Sequence, residues 1–212
     1  MDLKDIRRDY IKQELLEAHV LDDPIAQFKR WLQEAITSEV AEATAMTLAT
    51  ATPTGKPSAR IVLLKTVEEG GFVFFTNYES QKGKELAENP QACLNFYWIE
   101  LERQVRIEGI VEKVSDADSA SYFLSRPTGS QIGAIASPQS ERIPNRTFLE
   151  EKVESIQAEY EQKQQLERPM YWGGYRVIPN YIEFWQGRAS RLHDRIIYEK
   201  VGDTWKIARL AP

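Results

Sequence analysis

Apolar positions early in the chain recur every three or four residues: Ile25, Phe28, Leu32, Ala35 and Ile36 share one helix face. Asp23-Pro24 supplies the start, a short acceptor side chain before a residue with preset φ. The more polar stretch before it, with Arg7, Arg8, Asp9 and Tyr10, predicts a weaker helical arm, so residues 1–42 read as an N-terminal helical extension. From Ala45 the period changes to two, which predicts strands at 45–51, 58–66, 72–76, 92–99 and 104–114. Pro53-Thr54-Gly55 and Glu69-Gly70-Gly71 offer the positive φ that hairpin turns need, so the first three strands are expected to form an antiparallel meander. Between the third and fourth, residues 80–88 read as a short helix stopped by Asn89-Pro90.

Ser115-Asp116-Ala117-Asp118 and Thr147-Phe148-Leu149-Glu150 both have the capping-box pattern and should each open a helix. Leu149, Val153, Ile156 and Tyr160 continue the second at helical spacing. After Pro169, strands return at 171–178, 181–185, 194–201 and 205–210, the last two joined across Gly202-Asp203. The pattern is that of an α+β protein, mainly antiparallel β, whose sheet closes or nearly closes into a barrel with peripheral helices. Neither strand group alone has the apolar area for a stable core, so residues 1–212 are read as a single domain.

Composition supports a folded chain, with 42 % apolar and 10 % aromatic residues. The net charge of −5 argues against a scaffold built for nucleic-acid backbones, so any anion site must be local. The longest apolar runs, Ile61 to Leu64 and Phe72 to Phe75, are far below the roughly 20 residues that span a bilayer. Residues 1–9 are charged and lack the apolar stretch of a secretory signal. Cys93 is the only cysteine, which excludes an intrachain disulfide and fits a reducing cytoplasm; among Ala92, Leu94 and Phe96 it reads as a buried structural thiol.

With one cysteine and two histidines no zinc constellation can be assembled, and there is no P-loop or G-x-G-x-x-G fingerprint. Gly129-Ser-Gln-Ile-Gly133 has the wrong order for a nucleophile elbow. The positive signal is cationic side chains within apolar segments. Arg60 and Lys65 bracket four apolar residues, and their odd spacing puts them on opposite strand faces, serving different groups or merely lying at strand ends with their heads in water. Arg191, His193 and Arg195 alternate, so an extended backbone would project all three from one face, either toward an anionic ligand or as a charged edge strand. Phe184-Trp185-Gln186-Gly187 nearby makes a mixed aromatic and basic pocket plausible. Tyr122, Arg126 and Ser130, four apart across a helix end broken by Pro127, could bind a phosphate, or Tyr122 could pack in the core with Arg126 complementing the helix C-terminus.

In order, Arg7-Arg-Asp-Tyr10, Arg60-Ile-Val-Leu-Leu-Lys65, Phe74-Phe-Thr-Asn77, Leu101-Glu-Arg-Gln-Val105, Ser125-Arg-Pro127, Ser130-Gln-Ile-Gly-Ala134, Phe184-Trp-Gln-Gly187, Arg191-Leu-His-Asp-Arg195 and the closing Trp205-to-Pro212 run span nearly the whole chain. The chain thereby resembles the pyridoxine (pyridoxamine) 5'-phosphate oxidase family. The resemblance implies an FMN-binding split barrel, homodimeric with FMN at the interface, that oxidises pyridoxine 5'-phosphate and pyridoxamine 5'-phosphate with dioxygen to pyridoxal 5'-phosphate in vitamin B6 salvage. It further implies that Arg60, Ile61, Val62, Leu63, Leu64, Lys65, Phe75, Thr76, Gln81, Lys82, Gln104, Gln139, Ser140, Trp185 and Arg195 hold FMN, with Arg60 and Lys82 nearest its phosphate. By the same likeness, Lys65, Tyr122, Arg126 and Ser130 take the substrate phosphate; Arg191, Leu192 and His193 close over the pyridine ring; Arg7, Arg8, Asp9 and Tyr10 cover the site; and Arg191, His193 and Arg195 serve catalysis. Gln81 stands where the family often has arginine, and Phe75 where it often has tyrosine. Two other classes compete, a different split-barrel flavin or deazaflavin enzyme and a non-catalytic flavin or vitamer binder. No nucleic-acid, membrane or metal partner is expected.

Overall fold

The computed structural model describes residues 1–4 and 9–212. Helix α1 (Pro24–Thr37) starts where Asp23 accepts a hydrogen bond from the Ile25 amide at 2.9 Å. It buries Phe28, Trp31 and Ala35, whereas Ile36, expected on that face, is half exposed. Among the described residues before it, the only helical element is the 3-10 turn Glu17–His19, so the weak helical arm is not formed at Asp9 or Tyr10. That segment finds side-chain acceptors instead: Glu102 takes the amides of Ile11 and Lys12, and Asp194 that of Leu15.

The strands are β1 (Ala45–Ala51), β2 (Pro57–Leu63), β3 (Thr66–Glu68), β4 (Gly71–Asn77), β5 (Gln91–Trp98), β6 (Arg103–Lys113), β7 (Trp172–Gln186), β8 (Asp194–Val201) and β9 (Thr204–Leu210). They form one antiparallel sheet in the order β2-β1-β5-β6-β7-β4-β3, with β8 pairing β7 and β9 pairing β8. The expected meander is therefore replaced by two hairpins, β1–β2 and β3–β4. Residues 58–66 are not one strand, because the ladder switches partners between Leu64 and Lys65. The Leu64 amide donates to Thr44 beside β1 and the Lys65 amide to Val73 of β4, so the chain passes there from one end of the sheet path to the other.

The expected strands at 171–178 and 181–185 are a single one. Strand β7 pairs β6 throughout, β4 with its first half and β8 with its second. The register shifts at Glu108/Gly109, opposite Pro179 and Asn180, a bulge that accommodates a residue lacking an N–H. A core of Phe28, Phe72, Phe96 and Trp98 fills the barrel, with the Trp98 indole donating to the Ala43 carbonyl at 3.0 Å.

Helix α2 (Gln81–Glu88) packs its Leu86 into this core, while α3 (Asp116–Ser125), α4 (Thr128–Ala136) and α5 (Arg146–Lys163) contribute to a second apolar cluster built on Phe123, Ile132, Leu166 and Trp172. Ser115 caps α3 as its capping-box pattern predicts, and Ser80, the first residue of the expected 80–88 helix, is the cap of α2. The cap of α5 is Asn145 rather than Thr147, which lies within the helix; the Asn145 carboxamide oxygen accepts from the Phe148 amide at 2.9 Å. Among the described residues, no helix is long and apolar enough to cross a membrane.

Candidate active site

A cleft of about 690 Å³ opens between residues of β2, β4 and the α2, α3 and α4 helices. Arg60, Lys65, Lys82 and Arg126 line it, and among the described residues no Asp or Glu does. Among the described residues only Arg60 of these four has an acid beside it, Glu85 at 3.4 Å, so a positive excess remains around the cavity that an anionic ligand would satisfy.

Arg60 extends from the middle of β2, opposite Leu48, rather than from a solvated strand end. Its guanidinium donates to the Leu48 carbonyl at 3.2 Å, to Thr50 Oγ1 at 2.6 Å and to Ser58 Oγ, and lies 3.4 Å from Glu85. Burial disfavours the charge on Glu85, yet hydrogen bonds from Ser58, Thr50 and Gln81, with the Arg60 charge, hold its carboxyl at about 2. Gln81 donates to Glu85 at 2.9 Å and lies outside the cleft.

Lys82 sits in the first turn of α2, where the helix dipole opposes a positive charge. Its Nζ donates to Gln139 Oε1 at 2.8 Å and Thr76 Oγ1 at 3.1 Å, all neutral partners. Burial, and then the Arg60 charge, lower its pKa to about 8.

The second cation group is built on stacked rings. Phe75 lies on Tyr122 with centroids 3.9 Å apart, and Trp172 lies 5.6 Å from Phe75, the rings within 15° of parallel. Arg126 ends α3, and its guanidinium carbon is 4.8 Å from the Trp172 ring centroid. Gln131 donates to the Arg126 carbonyl at 2.8 Å, fixing the backbone there. Nη1 of Arg126 is buried with no hydrogen-bond partner, and burial lowers its pKa. Tyr122 thus lines the cleft while also packing against the Phe123 cluster, so both of its expected roles are met, and exposed Ser130 completes the group.

A separate cluster forms around Trp185 and His193, whose rings are 4.6 Å apart, with Tyr10 at 5.8 Å from each. A Cβ on Gly187 would meet the Tyr10 ring at 2.7 Å, so glycine is what lets Tyr10 pack there. The alternating face expected for Arg191, His193 and Arg195 does not form, because Ala189–Arg191 is a 3-10 turn and β8 starts only at Asp194. Ser190 and Arg191 have φ of 56° and 61°, left-handed values that no strand contains. The region is not an edge either, since β8 is paired on both sides. The Arg188 amide donates to Nδ1 of His193 at 3.1 Å. Arg195 makes two bonds to buried Glu183, at 2.7 and 3.1 Å, and Glu183 also accepts from Arg106 at 2.8 Å.

One chain thus gathers Arg60, Ile61, Val62, Leu63, Lys65, Phe75, Thr76, Lys82, Tyr122, Arg126, Ser130 and Gln139 around the cleft. Gln104, Trp185, Arg191, Leu192, His193 and Arg195 do not line it, and Gln104 lies opposite Trp185 in the ladder. Leu64 is buried in the core, Ser140 lines a smaller depression with Gln81, and Asp9 is exposed. Arg7 and Arg8 lie outside the described residues. Cys93 is half-buried rather than buried, and burial raises its pKa. Sequence reasoning missed Trp172, Glu85 and Glu183. Trp172 carried a signal in the Gly173-Gly174 pair after it; the two glutamates look like any polar position of a helix or strand.

A family model described as "Pyridoxamine 5'-phosphate oxidase" matches residues 32–160, and one described as "Pyridoxine 5'-phosphate oxidase C-terminal dimerisation region" matches residues 172–212. The pyridoxine/pyridoxamine 5'-phosphate oxidase of Trichormus variabilis is 56 % identical over 211 residues, covering 99 % of this chain and 98 % of the relative. That of Ralstonia pickettii is 57 % identical over 213 residues, covering 99 % of each. Among solved structures, PhzG from Burkholderia lata, in complex with tetrahydrophenazine-1-carboxylic acid, superposes with a TM-score of 0.88 at 32 % identity, over 93 % of this chain and 98 % of that one. A pyridoxamine 5'-phosphate oxidase-related, FMN-binding protein from Nostoc punctiforme shares the fold, with a TM-score of 0.69 at 16 % identity, over 90 % of this chain and 98 % of that one.

Proposed function

The chain belongs to the pyridoxamine 5'-phosphate oxidase family, and from that premise we propose that it uses FMN and dioxygen to oxidise pyridoxine 5'-phosphate and pyridoxamine 5'-phosphate to pyridoxal 5'-phosphate. The observation that carries this reading is the acid-free cleft with its two cation groups. Arg60 with Lys82 suits one phosphate, and Arg126 with Tyr122, Ser130 and Lys65 suits another. FMN and a phosphorylated vitamer bring two phosphates, so the residues fit both.

The chemistry FMN supplies when bound is acceptance of a hydride and return of the electrons to dioxygen as hydrogen peroxide, with the amine substrate also yielding ammonia after hydrolysis. The chain's own task is alignment. Arg60 and Lys82 anchor the cofactor phosphate, while Ile61, Val62 and Leu63 provide apolar lining. Arg126, Tyr122, Ser130 and Lys65 grip the substrate phosphate away from the reacting carbon, using remote binding energy to restrict its position.

We further propose a homodimer in which the cleft is completed by the partner's Trp185, the partner's Arg191, the partner's His193 and the partner's Arg195. Support comes from their lying within the span matched by the dimerisation model and away from their own chain's cleft. Ile61, an apolar residue of the cleft rim, is 65 % exposed in the single chain, as expected of a surface that a partner covers.

Oxygen consumption on adding pyridoxine 5'-phosphate to the FMN-loaded protein tests the reading. Equimolar formation of hydrogen peroxide and pyridoxal 5'-phosphate is expected. Absence of oxygen uptake, or equal uptake with unphosphorylated pyridoxine, would overturn it.

A further inference from the structure

Trp172 opens β7, is 5 % exposed, and lines the cleft. Its ring is within 15° of parallel to Phe75 and within 10° of parallel to Tyr122, with centroids 5.6 and 6.2 Å away, so the three form one cluster of nearly parallel rings. The register explains the arrangement: Phe75 lies opposite Gly174, where a Cβ would come within 2.8 Å of its ring. Arg126 is seated over the Trp172 ring, 4.8 Å from its centroid, with Nη1 buried and unbonded.

We infer that Trp172 is a positioning residue of the substrate-phosphate site, holding the Arg126 guanidinium by its ring face so that its N–H groups stay available to the phosphate. This rests on Arg126 being a phosphate ligand, as proposed above. The physical reason lies in the alternatives. A carboxylate would fix the guanidinium more firmly but would occupy the donors the phosphate needs and cancel the charge. An aromatic face attracts the cation while leaving its N–H edge free. Arg60, by contrast, is fixed by an acid and two hydroxyls, so the two cation groups are held by different means.

The test is a double-mutant cycle in steady-state oxidation of pyridoxine 5'-phosphate by FMN-loaded Trp172→Leu, Trp172→Phe, Arg126→Ala and the Trp172→Leu/Arg126→Ala double variant. Trp172→Leu is expected to raise KM about five- to tenfold, with kcat within about twofold and flavin content unchanged. Trp172→Phe, which keeps a ring face, should recover part of the loss. In the Arg126→Ala background Trp172→Leu should raise KM less than about twofold further, because the group it acts through is gone. An equal fold-change in both backgrounds overturns the proposal, as does a kcat loss that matches the KM effect. If Trp172→Leu fails to fold, the same cycle with Trp172→Met, which also lacks a ring face, decides, an unchanged KM counting against the role. An unchanged KM in Arg126→Ala removes the phosphate reading itself, and this inference with it.

Discussion

Lys82 Nζ stands 2.8 Å from Oε1 of Gln139, so a buried ammonium is met by a carboxamide rather than by an acid. Glu85, the buried acid of the same helix, is taken by Arg60, Ser58, Thr50 and Gln81. The helix dipole and the Arg60 charge both act against the ammonium, which makes the site receptive to anions and sensitive to pH.

Burial and Arg60 bring the Lys82 pKa down to about 8, so the unliganded site loses one positive charge as pH rises through that value. A bound phosphate favours the charged form. FMN affinity of the flavin-free protein should therefore be fully expressed well below pH 8 and fall by roughly tenfold by pH 9. Lys82→Arg, which stays protonated, should flatten the profile. Titration followed by flavin fluorescence checks it; a flat wild-type profile would remove Lys82 from the phosphate site.

The two groups of proposed substrate residues should differ kinetically. Arg126 grips a phosphate that does not react, equally in ground and transition states, so Arg126→Ala should mainly raise KM. Arg191 is proposed to orient the ring from the partner, and misplacement by about 1 Å can cost on the order of a hundredfold in rate, so Arg191→Ala should lower kcat. Anaerobic stopped-flow reduction of bound flavin at saturating substrate separates them. Equal slowing by both variants, with substrate binding intact, would contradict this division.

Local rules carried most of the fold. The caps at Asp23 and Ser115 and the alternation of β1, β5 and β6 were legible because each depends on neighbours in the chain. Pairing was not. The switch of ladder between Leu64 and Lys65 has no local signature, since both neighbours are extended and differ only in which distant strand receives the amide. The bulge at Pro179 and Asn180 looks like a turn for the same reason, as only β6 running past it keeps β7 continuous.

In the site, residue types were legible and their grouping was not. The Arg60, Lys82 and Arg126 sets converge on one cleft, whereas the alternating cations at 191, 193 and 195 promised a strand face that two left-handed residues abolish. A period of two shows which side chains could share a face only if the backbone is extended.

Arg103 offers a stability test away from the cleft. It is buried in β6, donates from Nε to Gln186 Oε1 at 3.0 Å, pairs with Glu34 of α1, and lies 4.2 Å from the Trp31 ring. Burial lowers its pKa, while Glu34 opposes that shift. Arg103→Met keeps the stem and removes the donors, and should cost about 2–3 kcal/mol by leaving the buried Gln186 carboxamide oxygen without its donor and untying α1. Urea unfolding should show a lower midpoint with an unchanged m-value. A loss below about 0.5 kcal/mol would assign the docking of α1 to apolar packing alone.

His193 is held in one tautomer. The Arg188 amide donates to Nδ1, so in the neutral ring Nδ1 is the acceptor and the proton sits on Nε2, which is then free to donate. Burial, followed by the Arg191 charge, lowers its pKa below 6.5, with Asp194 acting against them. The folded protein thus favours the neutral ring, and that state persists at and above pH 6.5 and is lost as pH falls through the depressed value. Protonation at Nδ1 would turn the acceptor into a donor facing the Arg188 amide and release the ring from its seat against Trp185. The acid limb of kcat should therefore lie below pH 6.5, and Arg191→Met, which removes the neighbouring charge, should move it upward. Because the chain has only two histidines, a His19→Gln background leaves a single imidazole for nitrogen NMR. Nitrogen shifts of an Nε2-protonated ring at pH 7.5, with a midpoint below 6.5, are expected; an Nδ1-protonated ring or a midpoint above 6.5 would refute the assignment.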